Sequence, residues 1–501
     1  MGRRGGLELG ALGVLTAVAY GALYQVQRSL SDNGLATSTP HQFPRDDADL
    51  GQAAEDLRRY LLVVGLLCLL YAWVLVRAPR WTNRQSALSL LVPGAIQAVL
   101  VFRRPTLSID PYSYLAHGYL ASHPPLNPYA QEAAAVSALP YGEALRLFGW
   151  LPMHPQSPYG PLWTALERLV VWSTESDVAT ALVLVKLPAV LAAWGAAGMI
   201  FLLLRSVAAE LRWAGTLGWL WSPMVTVEFA GDGHIDAVMI MLVLVACYAA
   251  VRGWAYRATL GLGLAVLVKY LPVVFAAPIL VSLLHRAPAA SRCLGRVLLA
   301  VATALVLTVL AFAPYWRGAD TFVGVVSSGT PYPAWTPSGM IVTWFNFRFG
   351  EEGAARVAQG VLAGLLFLVV LLVCLRVRTA AELLRGSAVI ALVAFGLLPG
   401  GWPWYAALPV ALLLCLPTVG ARALVLVLTV STRSIACFGD LQLLGAVPLE
   451  STADIDGCLG VTLPLLVGLP VALALWWRAG GRSSLGYERL LRSPSRRPDV
   501  T

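Results

Sequence analysis

Ala258 to Leu284 reads ATLGLGLAVLVKYLPVVFAAPILVSLL. Apart from Lys269 this stretch carries no charge, and it is long enough to cross the roughly 30 Å hydrocarbon layer of a bilayer. Lys269-Tyr270-Leu271-Pro272 interrupts it. Proline has no backbone N–H to donate and disfavours helix in the residue before it, so the run divides into two half-helices that enter and leave on one side. A lysine inside such a run is costly and normally faces a polar cavity or a partner.

The rest of the chain agrees with this reading. Of its 501 residues 58% are hydrophobic and only 13% charged, with a mean hydropathy of +0.70. Soluble domains carry about 25% charged residues. So few charges cannot cover a water-facing surface, which excludes a soluble enzyme, a disordered chain and a nucleic-acid-binding module. The expected fold class is an all-α polytopic membrane protein. Further apolar segments run at about 7–26, 60–76, 87–102, 178–204, 214–230, 235–251, 297–314, 355–375, 386–399, 402–419, 423–438 and 458–477. Counting 258–284 as two pieces gives about 12–14 membrane segments. The first run follows arginines and lacks a small-residue cleavage site, so it reads as a retained span.

The net charge of +9 reflects orientation more than an anionic ligand. With the N-terminus inside, Arg77, Arg80 and Arg84 fall in a cytoplasmic loop, as do Arg205/Arg212, Arg252/Arg257, Arg286/Arg292/Arg296, Arg376/Arg378/Arg385 and Arg422. Both termini are then cytoplasmic. The chain divides into three spans over 1–102 with an outer loop at 28–59, a long outer loop at 103–176, a bundle over 177–477 with outer loops at 315–354 and 439–457, and a basic tail from 478 to 501. The aromatic loop 315–354 holds Tyr315, Trp316, Tyr332, Trp335, Trp344, Phe345 and Phe347. Cys68, Cys247, Cys293, Cys374, Cys415, Cys437 and Cys458 are scattered, without the spacing of a disulfide framework or zinc site. The short cytoplasmic loops leave no room for a nucleotide-binding domain, and no phosphate loop with Lys-Ser/Thr is present.

Several residues can carry chemistry. Asp110, in Ser108-Ile109-Asp110-Pro111-Tyr112-Ser113-Tyr114, suits a general base at the mouth of a cavity, or a helix cap. In Gly231-Asp232-Gly233-His234-Ile235-Asp236 the two acids and the histidine could orient an acceptor, hold a metal or cap the next helix. Lys269 suits a lipid-linked phosphate, or a pairing with Asp232 or Asp236. Lys186 raises the same question, although its stem could snorkel. Tyr159, in Ser157-Pro158-Tyr159-Gly160-Pro161, and Trp402, Trp404 and Tyr405, in Gly401-Trp402-Pro403-Trp404-Tyr405, could stack on a sugar ring or mark the headgroup layer. Pro161 to Trp172 has the apolar spacing of an interfacial helix.

Taken in order, the Asp110 loop, Asn127-Pro128-Tyr129, Pro158-Tyr159-Gly160-Pro161-Leu162, Gly233-His234-Ile235-Asp236, Lys269-Tyr270-Leu271-Pro272 and Trp402-Pro403-Trp404-Tyr405 resemble the polytopic glycosyltransferases of the C-type fold. Within these the chain is most similar to bacterial, especially actinobacterial, polyprenyl-phosphate-mannose-dependent α-mannosyltransferases of lipomannan and related glycolipid assembly. The resemblance covers roughly 100–410. It implies an inverting transfer on the outer face of the cytoplasmic membrane, from a polyprenyl-phosphate sugar to a glycolipid or glycan acceptor, without nucleotide or nucleic acid. It further implies Asp110 as general base, Lys269 and His234 as holders of the leaving phosphate, and Tyr112, Tyr114, Tyr159, Asp232, Asp236, Trp402, Trp404 and Tyr405 around sugar and acceptor. Asp110 has no acidic neighbour in sequence, so no cofactor is expected and no metal site. The alternatives are another prenyl-phosphate sugar (arabinose, glucose or galactose), a transporter or flippase of lipid-linked saccharide, and a polymer ligase or assembly protein.

Overall fold

The computed structural model describes residues 3–32, 47–105, 108–150, 152, 155–175, 177–328, 338, 341–342, 344–345, 348, 351–397 and 402–443. The predicted segment 458–477, most of the outer loop 439–457, the basic tail, and Tyr332, Trp335 and Phe347 lie outside these residues. Among the described residues the chain is helical and forms no named strand, an all-α polytopic membrane protein.

Seven helical stretches among them are long and apolar enough to cross a membrane: 6–29, 58–80, 83–101, 178–207, 290–315, 357–376 and 380–397. An eighth is broken, Pro223–Gly231 meeting Asp236–Val251 at 119°. Ala255–Val268, Leu271–Arg286 and Pro403–Leu414 are shorter apolar helices.

The chain opens with α1 (Arg3–Asp32) and α2 (Asp47–Arg77), packed together and joined at one end by Arg77 and Glu8, 2.9 Å apart. Helices α3 (Asn83–Ser89) and α4 (Leu91–Val101) follow. A capping box starts α3: the Thr82 hydroxyl accepts the Gln85 N–H at 3.3 Å, and the Gln85 side chain accepts the Thr82 N–H at 2.9 Å. Next come α5 (Asp110–Ser122), α6 (Pro140–Leu147) and α7 (Pro161–Thr174), each with proline in its first turn, where a missing N–H costs nothing. Helix α8 (Val178–Val207) is the long central element and buries Ala181, Ala189, Ala192, Ala193, Ala196 and Ala197. Lipid gives no hydrophobic drive for helix association, so such small residues matter by letting neighbours approach closely.

The predicted span 214–230 is not one helix. Helix α9 (Arg212–Leu220) stops before Pro223, with Ser222 extended at ψ 125°. A single turn, α10 (Pro223–Val225), then widens into a π-turn over Thr226–Gly231. Helices α11 (Asp236–Val251) and α12 (Ala255–Val268) complete the centre, with α11 packed on both α8 and α12. At Lys269 the backbone becomes extended (φ −153°, ψ 136°), as the lysine–proline sequence predicts; a 3₁₀ turn over Leu271–Phe275 leads into α13 (Ala276–Arg286). On α14 (Ala290–Phe312) and the helix Glu351–Arg376, most of the leucines and valines whose side chains are described point outward, as lipid-facing surfaces do.

Two features hold the 103–176 segment together, and one of them also ties it to the bundle at Tyr315. Gly118 on α5 sits so close to α7 that a Cβ there would lie 2.5 Å from the Glu167 carbonyl oxygen. The Asn127-Pro128-Tyr129 turn is pinned by Asn127, which donates to the Tyr315 carbonyl at 2.8 Å, and by the Tyr129 hydroxyl, 2.8 Å from that of Thr164.

Candidate active site

The site grows from the turn at residues 232–236, between the two halves of the broken span. Gly233 has φ +69°, a left-handed conformation glycine adopts without strain. Its Cα faces Lys186, whose Cγ would lie 2.5 Å from an added Cβ. Lys186 does not snorkel. It is fully buried and donates to the carbonyls of Leu100 and Arg103 at 2.9 and 2.7 Å, where its charge meets the negative end of α4. Asp232 is buried near that lysine.

Past the glycine, His234 and Asp236 each hold one functional group. His234 is wholly buried; its Nδ1 lies 3.4 Å from Asp110 Oδ2 and its Nε2 lies 3.2 Å from Glu228 Oε2. Glu228 is in turn paired with Arg433, from the helix Val419–Leu443. Asp236, the first residue of α11, receives Lys269 at 2.9 and 3.1 Å from its two carboxylate oxygens. The Lys269 ammonium also stands 4.4 Å from the centre of the Tyr405 ring. The pairing with Asp236 anticipated from sequence is thus present, and the lysine side chain keeps 18% exposure.

Aromatic rings close the surroundings. Trp404 stacks on His234 at 3.8 Å, and Trp402 stacks on Trp404 at 5.4 Å. Trp402 is the part-exposed end of that ladder. Tyr114 sits edge-on to Tyr159 and to Trp163, both at 5.3 Å, and its hydroxyl reaches Asp110 Oδ2 at 3.4 Å. Burial pushes the hydroxyls of Tyr114 and Tyr159 well above the usual phenol range, so both stay neutral hydrogen-bond donors. Asp110 is the first residue of α5, with Ile109 in the cap position, and 14% of its side chain is exposed.

The structure therefore gathers Asp110, Tyr114, Tyr159, His234, Asp236, Lys269, Trp402, Trp404 and Tyr405 around one turn. Tyr112 is buried, with its hydroxyl spent on the Phe148 carbonyl at 2.8 Å; Asp232 faces the Lys186 side. Sequence reasoning missed Glu228 and Arg433. Each is a charge inside an apolar run, the same signal that singled out Lys269. Among the described residues no three His, Cys, Asp or Glu side chains are grouped to hold a metal ion.

A family model described as alpha-(1->6)-mannopyranosyltransferase, N-terminal domain, matches residues 8–286, more than half of the chain. That range contains Asp110, Glu228, His234, Asp236 and Lys269 and stops short of Trp402, Trp404, Tyr405 and Arg433. No curated protein and no solved structure matches.

Proposed function

The chain belongs to the alpha-(1->6)-mannopyranosyltransferase family and is a glycosyltransferase that moves mannose; on that premise we propose that its donor is polyprenyl-phosphate mannose and its acceptor a glycolipid or glycan. The observation that supports this reading most is the use of the 232–236 turn. One flank holds a part-exposed carboxylate, Asp110, through His234; the other holds a part-exposed ammonium, Lys269, through Asp236. A base and a cation side by side fit a displacement in which one oxygen loses a proton while another gathers negative charge.

In this reading the acceptor hydroxyl gives its proton to Asp110 as its oxygen attacks C1 of the mannose. The bond from C1 to the phosphate oxygen breaks with its electron pair, and polyprenyl phosphate leaves toward Lys269. Charge grows on that oxygen in the transition state, so a fixed ammonium assists the chemical step beyond mere binding. A β-linked donor gives an α-mannoside. Trp402, the part-exposed end of the ladder on Trp404 and His234, offers a ring face for sugar stacking. In this reading both termini lie in the cytoplasm and the site lies at the outer face of the cytoplasmic membrane, an orientation that the arginine content of the connecting loops supports. No metal or cofactor takes part in this reading.

The test offers labelled polyprenyl-phosphate mannose and labelled GDP-mannose separately to the purified protein with glycolipid acceptors. The proposal expects an α-mannosylated product from the lipid donor alone. Product from GDP-mannose, with none from the lipid donor, contradicts it.

A further inference from the structure

Asp110 and Tyr114 stand one turn apart on the same face of α5. Side chains on a helix lean toward its N-terminus, which carries the Tyr114 phenol back to the carboxylate. Its hydroxyl donates to Asp110 Oδ2 at 3.4 Å. Tyr159 brings the other hydroxyl to this place. A carboxylate accepts a hydrogen bond more strongly than a neutral phenol oxygen, so the single Tyr114 proton goes to Asp110.

The ring that carries this hydroxyl is clamped. Tyr114 is only 1% exposed and packs edge-on against Tyr159 and Trp163, at 80° and 83° to their planes. Tyr159 is fixed in turn beside the helix break, since its carbonyl accepts the Tyr270 hydroxyl at 3.1 Å and the next residue, Gly160, donates its N–H to the Val268 carbonyl. The clamp on the phenol therefore comes from the segment that adjoins Lys269. So enclosed a tyrosine offers no ring face to a sugar, and what it can reach in the site is Asp110.

We propose that Tyr114 is the positioning residue of the base: its hydroxyl fixes the rotation of the Asp110 carboxylate and favours its ionised form, the form that can take a proton. The inference rests on the reading of Asp110 as the base. In the step, the acceptor O–H bond breaks and its proton goes to Asp110, while Tyr114 keeps its own proton throughout. The acceptor oxygen forms its bond to C1, and the phosphate departs with the electron pair of the broken C1–O bond. A donor to a carboxylate lowers the pH at which it becomes protonated, so loss of this hydroxyl shifts the acid limb of activity upward.

The experiment measures kcat/KM against pH for the full-length protein, with polyprenyl-phosphate mannose and glycolipid acceptor. Facing Asp110 from other elements are His234, Lys269, Tyr159 and Tyr405, with Asp236 behind Lys269. All of these are kept in Tyr114→Phe, which also keeps the clamped ring and removes only the hydroxyl. The acid limb is expected to move up by about one pH unit, with kcat near neutral pH lower by about tenfold and donor KM within about twofold. A merely structural role would leave the limb where it is, and an unmoved limb in a variant that accumulates normally overturns the proposal. If Tyr114→Phe fails to accumulate, a monofluorinated tyrosine at position 114 decides: it is a stronger donor in nearly the same volume, so the limb should move down, and an unmoved limb again overturns the proposal. Asp110→Asn separates this inference from the reading beneath it. An inactive Asp110→Asn with an unmoved limb in Tyr114→Phe removes only the role of Tyr114; a fully active Asp110→Asn removes the base reading and this inference with it.

Discussion

Lys269 Nζ lies 2.9 Å from Oδ1 and 3.1 Å from Oδ2 of Asp236, so an ammonium at the break between two helices is matched by the carboxylate that opens a third. This pairing explains how the chain keeps a lysine among apolar helices. It also separates two consequences of removing the lysine.

Lys269→Met leaves Asp236 as a buried charge without its partner, which costs about 3–5 kcal/mol. The protein should accumulate poorly. Adding Asp236→Asn removes the orphaned charge and should restore accumulation without restoring transfer. Thermal midpoints in detergent and mannose transfer, measured on both variants, check this; full transfer by the double variant would show that Lys269 is structural only.

Gly233→Ala tests the turn that carries the site. The position needs φ +69°, which costs a non-glycine residue about 1–2 kcal/mol, and the new methyl would press on Lys186 Cγ, whose ammonium is tied to two carbonyls. Stability and activity should fall together. Gly198→Ala on α8 meets nothing within 4 Å and is expected to leave the midpoint unchanged or raised.

Gly160→Ala tests the seam between the 103–176 segment and the half-helix break. Gly160 donates its N–H to the Val268 carbonyl at 2.9 Å, and a Cβ there would stand 2.0 Å from the Leu267 carbonyl oxygen. Backbone cannot yield as a side-chain tip can, so the expected loss is about 1–3 kcal/mol, read as a lower midpoint. An unaltered midpoint would mean that α7 is not fixed to the end of α12.

Glu167 on α7 predicts a pH dependence. Its carboxyl is fully buried, and burial pushes it well above the ordinary glutamate value of 4.5. A raised acid is protonated in the folded chain where the unfolded chain has ionised. Its favourable contribution is therefore complete below the unfolded value and declines as pH rises above it. Glu167→Gln removes that decline. Its gain in midpoint over wild type should be larger at pH 8 than at pH 5; an equal difference at both would refute the assignment.

What could be read from the sequence was local. The helix break at Lys269–Pro272 follows from proline chemistry, and Asp110, His234, Asp236 and Lys269 stood out as polar groups beside or within apolar runs. The ladder from His234 through Trp404 to Trp402 was half-visible, as two separate aromatic motifs. Glu228 and Arg433 are hidden in the sequence, because each sits within what reads as a continuous apolar span and their pairing is a long-range event. The π-turn that aims Glu228 at His234 depends on the interruption at Ser222–Pro223, which hydrophobic periodicity does not register. For Lys186, stem length suggested snorkelling, whereas the carbonyl end of α4 keeps the ammonium inside.

The central claim is that Asp110 takes the proton of the attacking hydroxyl. It is tested most directly by following labelled mannose from polyprenyl-phosphate mannose into glycolipid, in membranes carrying equal amounts of wild type or Asp110→Asn. The wild type should transfer mannose and the variant should lose about 100-fold or more of that activity. Wild-type rates from Asp110→Asn would contradict it.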